Sequence, residues 1–260
     1  MIDIHHHCLP GVDDGPSNWD DAVEICRLAS EAGIETIVAT PHVLRGPWQN
    51  DDRRELQKLT MELNHRLPDT PRVILGSEYY FSHDILELLD DKRGIIPLAG
   101  GRHLLIEFPS MSIPPRVENV FHEIVLRNWI PIIAHPERNF VFQQNLEALV
   151  GLIRVGARVQ LTASSLEGQF GPAAKRAALG MLDREMAHFV ATDAHSLRRR
   201  PPTPARAREI IEKKWGDQRA QALFVENPRA VLEQRELPYE PEPTEPKTSG
   251  YRSIFGRLFN

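Results

Sequence analysis

The 260-residue chain carries 31 Lys and Arg against 36 Asp and Glu, a formal net charge of −5, and 41% of its residues are hydrophobic. That composition fills the core of one large α/β domain or two smaller ones, and it excludes a disordered polyanion and a broadly basic nucleic-acid coat. Two cysteines, Cys8 and Cys26, are too few for a disulfide framework and fit a reducing, cytoplasmic setting. The N-terminal Met1-Ile2-Asp3-Ile4-His5 lacks the basic and then apolar stretch of an export signal, and the most apolar runs, 104–108 and 129–134, are far shorter than a membrane span.

Taken in chain order, short β-branched runs at 2–4, 36–39, 73–75, 104–106, 130–134, 157–161 and 188–191 read as strands buried on both faces. Helical patterns alternate with them. The first begins at Ser17, places Val23, Leu28 and Ala32 at apolar positions and ends at Gly33. The second covers 51–67, with Leu56, Leu59 and Leu63 on one face and Pro68 as its stop; further helices are expected at 115–127, 146–155 and 173–186. Strict β-then-α alternation argues for parallel strands wrapped by helices. Seven such units suggest a closed barrel, with an open doubly wound sheet as the alternative. The domain is expected to span 1–237. Residues 238–260 are expected to be a Pro/Glu-rich linker and a short disordered tail, because Pro238-Tyr239-Glu240-Pro241-Glu242-Pro243 cannot build a core. In that tail Tyr251, Ile254, Phe255, Leu258 and Phe259, with Arg252 and Arg257 between them, have a roughly helical spacing suited to docking on a partner or a membrane surface.

The chain holds 11 histidines, and their positions carry most of the functional information. His5 and His7 follow the first expected strand, His42 the second, Glu78 the third, Glu107 the fourth, His135 the fifth, and Asp193 and His195 the last. In a β/α barrel the C-terminal ends of the strands converge on one mouth, where active sites are built. Residues two apart on a strand point the same way, so His5 and His7 can grip one ion, as can Asp193 and His195, while His6 faces away. Crowded carboxylates repel one another, and divalent cations remove that penalty. Mixed His, Asp and Glu ligation without thiolate suits Mn, Fe or Zn. Any one of these histidines alone would read as a packed core residue; their recurrence at strand end after strand end is the signal.

The segment Asp3-Ile4-His5-His6-His7, with Leu9-Pro10-Gly11-Val12-Asp13-Asp14-Gly15-Pro16 after it, resembles the opening motif of the polymerase-and-histidinol-phosphatase (PHP) superfamily. More narrowly it resembles the manganese-dependent bacterial protein-tyrosine phosphatases of capsule and exopolysaccharide loci. The likeness continues through Ala39-Thr40-Pro41-His42, Gly76-Ser77-Glu78-Tyr79-Tyr80, Leu105-Ile106-Glu107-Phe108, Ile133-Ala134-His135-Pro136-Glu137-Arg138 and Ala191-Thr192-Asp193-Ala194-His195, covering about residues 1–200. The resemblance implies a distorted parallel (β/α)7 barrel with three divalent ions at the C-terminal ends of its strands, manganese first, with Fe, Co, Zn or Mg as alternatives. Carried over by position, His5, His7, Glu78 and Asp193 would hold one ion, and His42, His195 and Asp14 the second. Glu107 and His135 would share Glu78 with the third. Asp14 has a competing role as a turn-capping acid. His6, where many relatives have a small residue, and Cys8 depart from the usual pattern, though neither removes a ligand.

Clustered divalent ions lower the pKa of bound water and polarise a phosphoryl oxygen, so the expected reaction is attack of metal-bound hydroxide on phosphorus. Arg138, three residues past His135, is the expected catalytic guanidinium that steadies charge on the phosphoryl oxygens; a salt bridge to Glu137 is its structural alternative. Arg45 and the run Arg198, Arg199 and Arg200 are weaker candidates for holding phosphate or an acidic peptide. A cysteine mechanism fails on spacing: an arginine is needed six residues after the thiol, and those positions are Asp14 and Ala32. A phenol has a pKa of about 10, so an aryl phosphate has an easy leaving group. The resemblance implies a cytoplasmic enzyme that hydrolyses phosphotyrosine in proteins and reverses autophosphorylation of a bacterial tyrosine kinase controlling surface polysaccharide. A histidinol-phosphate-type small-molecule phosphatase and a non-enzymatic, metal-stabilised docking protein are the competing readings. A net charge of −5 argues against a nucleic-acid partner, and the oligomeric state stays open.

Overall fold

The computed structural model describes residues 1–91 and 94–244; the apolar spacing at 251–259 lies outside the described residues. The strands are β1 (Ile2–His6), β2 (Thr36–Ala39), β3 (His42–Val43), β4 (Arg72–Leu75), β5 (Glu78–Tyr80), β6 (His103–Glu107), β7 (Ile130–Ala134), β8 (Arg158–Thr162) and β9 (Phe189–Ala191). Every pairing is parallel, in one sheet ordered β1-β2-β4 and another ordered β3-β5-β6-β7-β8-β9. The alternation with helices places the fold in the α/β class, as expected. Backbone bonds also tie the end of β1 to the chain beyond β9: Asp193 N donates to His5 O (2.8 Å), and His7 N donates to Ala194 O (2.9 Å).

The expected strands at 36–39 and 73–75 form β2 and β4, and each is followed, after a break, by a short strand the sequence reading did not propose. The chain leaves the first sheet at Thr40-Pro41 and at Gly76-Ser77, and resumes as β3 and β5 in the second. The breaks run side by side, with Gly76 N donating to Ala39 O (2.8 Å) and Glu78 N to Pro41 O (3.1 Å). Gly76 is required by close approach, since a Cβ there would lie 2.9 Å from both Leu98 and Val38 side-chain carbons. Strands of two and three residues carry no periodicity, which is why β3 and β5 are not legible as separate elements. Their pairing sets His42 directly beside Glu78.

The strands are buried on both faces. Ile4, Val38, Leu105, Ile132 and Phe189 pack together on one side, while Ile37, Ile106, Ile133 and Val159 join the larger core under the helices. The Trp19–Glu31 helix starts one residue after Asn18, whose side chain accepts from Asp21 N, and buries Ala22, Ile25, Cys26 and Ala29 at helical spacing. Gly33 follows it at φ +84°, the left-handed conformation that ends a helix cheaply only with glycine. The Arg53–Arg66 helix is capped in the same way by Asp52. The helices Ala205–Trp215, Asp217–Gln221 and Asn227–Leu232 fill a region for which the sequence reading proposed no element. Among the described residues no helix is long and apolar enough to cross a membrane.

Past the expected boundary at Leu237, the described chain stays against the domain. Asn227, fully buried, donates to His188 O (2.9 Å) and Tyr239 O (2.6 Å) and accepts from Tyr239 N (3.0 Å). Glu240 pairs with Arg158, and Thr244 N donates to Arg184 O (2.9 Å) while Arg184 Nε donates to Thr244 O (3.0 Å). The prolines prevent regular structure, but partners on the domain satisfy the backbone polar groups of Tyr239 and Thr244. These contacts lie at the starts of β8 and β9, the ends opposite the histidines. Replacing Asn227 with Ala leaves several backbone groups unpaired and should cost about 1–3 kcal/mol, read as a lower midpoint in thermal denaturation.

Candidate metal centre

The ligand-type side chains gather where the parallel strands end. β1 carries one extra residue relative to β2: Asp3 pairs with Ile37 and His6 with Ala39, three steps against two. This bulge turns His5 and His7 toward the cluster, while Ile4 stays in the inner core. Asp3, buried at the bulge, accepts from Thr192 N (3.0 Å), the Thr192 hydroxyl and His5 N (3.3 Å), and burial pushes its carboxyl up to about 6. His42 and Glu78 open β3 and β5, and Glu107 closes β6. His135 and Asp193, just past β7 and β9, adopt left-handed backbone at φ +34° and +52°. That conformation costs a non-glycine residue about 1–2 kcal/mol, and it recurs where side chains must be aimed at a site.

Glu78 is at the middle. It is 1% exposed, and its carboxylate lies 3.3 Å from His5 Nε2, 3.3 Å from His7 Nε2, 2.9 Å from His42 Nδ1 and 2.9 Å from His135 Nε2. Asp193 Oδ1 is 3.2 Å from His5 Nε2 and 3.6 Å from His7 Nε2. Asp14 Oδ1 bridges His42 Nε2 (3.4 Å) and His195 Nε2 (3.3 Å), so this acid faces the cluster rather than capping its own turn. Four sets of side chains offer atoms close enough to share a cation: His5 with His7 and Asp193; His5 with Glu78 and His135; His7 with Asp14, His42 and His195; and His42 with Glu78 and Glu107. All nine expected ligand residues are therefore brought together. The third expected trio is divided, with His135 grouping with His5 and Glu107 grouping with His42. His6 is in none of these sets and is buried elsewhere, where burial holds its imidazole down near 3.

A second ring of contacts aims the imidazoles. Gln160 Nε2 donates to Leu161 O (2.8 Å), which leaves its Oε1 to accept from His5 Nδ1 (2.8 Å). His7 Nδ1 bonds Asp13 Oδ2 (2.7 Å), and His195 Nδ1 bonds Asp193 O (3.0 Å). Each contact leaves Nε2 as the atom facing the cluster. Asp13 also accepts from His42 N (3.1 Å) and Gly15 N (2.9 Å). Gly15 is required there, because a Cβ would meet His7 O at 2.9 Å.

Burial opposes charge on every one of these groups, and the neighbours decide the outcome. At His7, Asp13 and Glu78 overcome burial and push the imidazole up to about 10; at His42, Glu78 and Asp14 push it up to about 9. His5 is raised in the same way by Glu78 and Asp193. His195 and His135 go the other way, each lowered to about 4 by burial together with repulsion from His7 and from Arg138 respectively. Against burial, the imidazoles around Glu78, and Arg138 with His5 around Asp193, hold both carboxyls well below the usual range. Glu107 is pushed up to about 7 by burial and by the charge on Glu78. Glu78 Oε2, Asp193 Oδ1 and His195 Nε2 are buried with no hydrogen bond, and all three border the cluster. Buried acceptor atoms left unpaired, each belonging to one of the four sets, fit cations held within those sets.

Arg138 does not pair with Glu137, the alternative its sequence position allows. Its Nη2 lies 2.5 Å from Asp193 Oδ2 and donates to Thr162 Oγ1 (2.7 Å), and the guanidinium sits 3.7 Å from the centre of the Phe170 ring. Arg200 reaches the same Asp193 oxygen. A cavity of about 100 Å³ is lined by Glu107, His135 and Arg138. Arg45 meets Glu107 Oε2 (3.0 Å) and His42 Nε2 (2.6 Å). Sequence reasoning gave no role to Asp3, Asp13 or Gln160. A glutamine between the buried Val159 and Leu161 is a signal that could have found the last of these.

The description "Capsular polysaccharide synthesis, CpsB/CapC" matches residues 1–233. The chain belongs to the CpsB/CapC family. It is 38% identical over 232 residues to CapC of Staphylococcus aureus, covering 87% of this chain and 86% of that protein. With tyrosine-protein phosphatase YwqE of Bacillus subtilis it shares 34% identity over 258 residues, 98% of this chain and 99% of that one. A crystal structure from work on YwqE of B. subtilis and CpsB of Streptococcus pneumoniae, described as metal-dependent tyrosine phosphatases, superposes with a TM-score of 0.86 at 35% identity, covering 94% of this chain and 100% of that one. An organophosphorus hydrolase variant, at 13% identity and a TM-score of 0.52, shares the fold alone.

Two measurements probe the centre. Gln160→Leu frees the His5 ring and strands its Nδ1–H, so divalent-cation affinity should fall about 10- to 100-fold in a calorimetric titration. Because His7 and His42 hold protons up to about 10 and 9, a cation must displace them. Affinity should therefore rise with pH through that range, and binding should release protons; a flat profile would show that these protons do not compete.

Proposed function

We propose that this chain is a metal-dependent tyrosine-protein phosphatase. The observation that carries the reading is the Glu78 carboxylate, buried and ringed by four imidazoles, with Asp193 beside it. In this reading His5, His7, Glu78 and Asp193 hold one divalent ion, and His42, His195 and Asp14 a second. Glu78 also serves a third, with His135 on its His5 side and Glu107 on its His42 side. Manganese is the first choice, because nitrogen and carboxylate donors without thiolate suit it, with Fe, Co, Zn or Mg as alternatives. The two parallel sheets together form a distorted (β/α)7 barrel with this centre at its mouth, a reading supported by the hydrogen bonds from Asp193 and His7 that join the ends of β1 and β9.

Such ions, when bound, supply Lewis acidity toward phosphoryl oxygens and a nucleophile at neutral pH. The chain's own residues do the rest. Arg138 and Arg200, both anchored on Asp193, present guanidinium donors to the phosphoryl oxygens, whose charge grows in the transition state. Glu78 and Asp193 stay ionised through their imidazole and guanidinium neighbours, so they remain ligands at any ordinary pH. A phenol's pKa of about 10 lets the tyrosine oxygen depart without a strong acid from the protein. The family's link to capsular polysaccharide synthesis supports a cytoplasmic substrate, the phosphotyrosine of a bacterial tyrosine kinase that controls capsule or exopolysaccharide production.

The test compares a phosphotyrosine peptide, a phosphoserine peptide and histidinol phosphate, with manganese and after chelation. The phosphotyrosine peptide should be turned over fastest, and chelation should abolish the activity. Equal or better turnover of histidinol phosphate overturns the substrate, and chelator-resistant turnover overturns the mechanism. Arg138→Ala should retain its metal content and lose about 10²–10³ in kcat. His135→Ala should lose metal and activity together.

A further inference from the structure

A second cavity, of about 360 Å³, lies beside the centre on its His195 side. Its walls include His195, the apolar Pro16, Ile25 and Leu197, and the guanidinium-bearing Arg198 and Arg199. Asp21 also lines it, but its carboxylate receives the Asn18 amide (2.9 Å). Both arginines are exposed, and among the described residues neither side chain has an ion-pair or hydrogen-bond partner. Their neighbour Arg200 is tied to Asp193, and Arg45 to Glu107. Two uncommitted cations at the edge of a partly apolar cavity, next to a ligand-type histidine in a chain of net charge −5, are complementary to an anionic, extended ligand rather than to a single phosphoryl group.

We propose that this cavity receives the residues flanking the phosphotyrosine of a protein substrate, and that Arg198 and Arg199 select anionic side chains there. The proposal rests on the phosphatase reading and adds the class of sequence that the site accepts. The shared chemistry is a carboxylate or a second phosphotyrosine close to the scissile phosphate. A small aryl phosphate has no flanks and does not use the cavity. Exposed charge pairs are individually weak, so the selection should be modest and sensitive to salt.

The experiment measures kcat and KM for three phosphotyrosine peptides that differ only in their flanks (glutamates, alanines, or one further phosphotyrosine), with p-nitrophenyl phosphate as the flank-free control. The wild type should favour the two anionic peptides over the alanine peptide by about three- to tenfold in kcat/KM, through KM, and added salt should shrink the preference. The double variant Arg198→Ala, Arg199→Ala should lose the preference with kcat unchanged, and Arg198→Glu, Arg199→Glu should invert it. Turnover of p-nitrophenyl phosphate should be the same in all three proteins. A preference shared by both anionic peptides assigns recognition to charge; one confined to the second phosphotyrosine assigns it to phosphate. No preference in the wild type, a preference that survives in the alanine variant, or an equal loss on p-nitrophenyl phosphate overturns the proposal. Wild-type hydrolysis of the alanine-flanked peptide tests the phosphatase reading separately.

Discussion

The structure depends on a balance of charge around one buried carboxylate. Glu78 has almost no access to water, and an ionised carboxylate in that position is tolerable only with positive partners close by. His5, His7 and His42, pushed toward the protonated form, provide them, while His135 on Glu78 and His195 on Asp14 are kept neutral. Protons on the first three and a divalent cation compensate the same negative charge, so they are alternatives at one site. The neutral pair is available for ligation without any proton leaving.

The fold creates this balance through irregularities in otherwise regular strands. A bulge in β1 aims His5 and His7. The paired breaks at Thr40-Pro41 and Gly76-Ser77 set His42 and Glu78 side by side. Left-handed backbone at His135 and Asp193 aims two more side chains. An unbroken set of strands would bury its apolar faces equally well but would leave these groups at different heights. The local backbone costs are offset by extensive burial on both faces of each strand.

Much of this was legible in the residues. Apolar runs such as 130–134 specify buried strands, because each second residue joins a different core, as Ile132 and Ile133 do. His5, His42, Glu78, Glu107, His135 and Asp193 stand where those runs stop, so convergence followed once parallel strands were inferred. The division of ligands into sets was not legible, because side-chain reach decides it: Glu107 leans toward His42, where Arg45 also lies, and His135 leans toward His5. Nor was the path of the chain after Leu237, since its prolines show only that it is irregular and the partners that hold it, Asn227 and Arg184, lie elsewhere in the sequence.

The breaks that place His42 and Glu78 also determine what the centre joins mechanically. His5 lies on and His7 directly after a strand of the three-stranded sheet, whereas Glu78, Glu107, His135 and Asp193 lie on or just after strands of the six-stranded one. The cluster thus straddles a seam between the two sheets that only a few backbone bonds cross, such as those from Asp193 N to His5 O and from His7 N to Ala194 O. Cations held there would rivet the halves together, making the reactive end of the molecule also the point at which its two sheets are clamped.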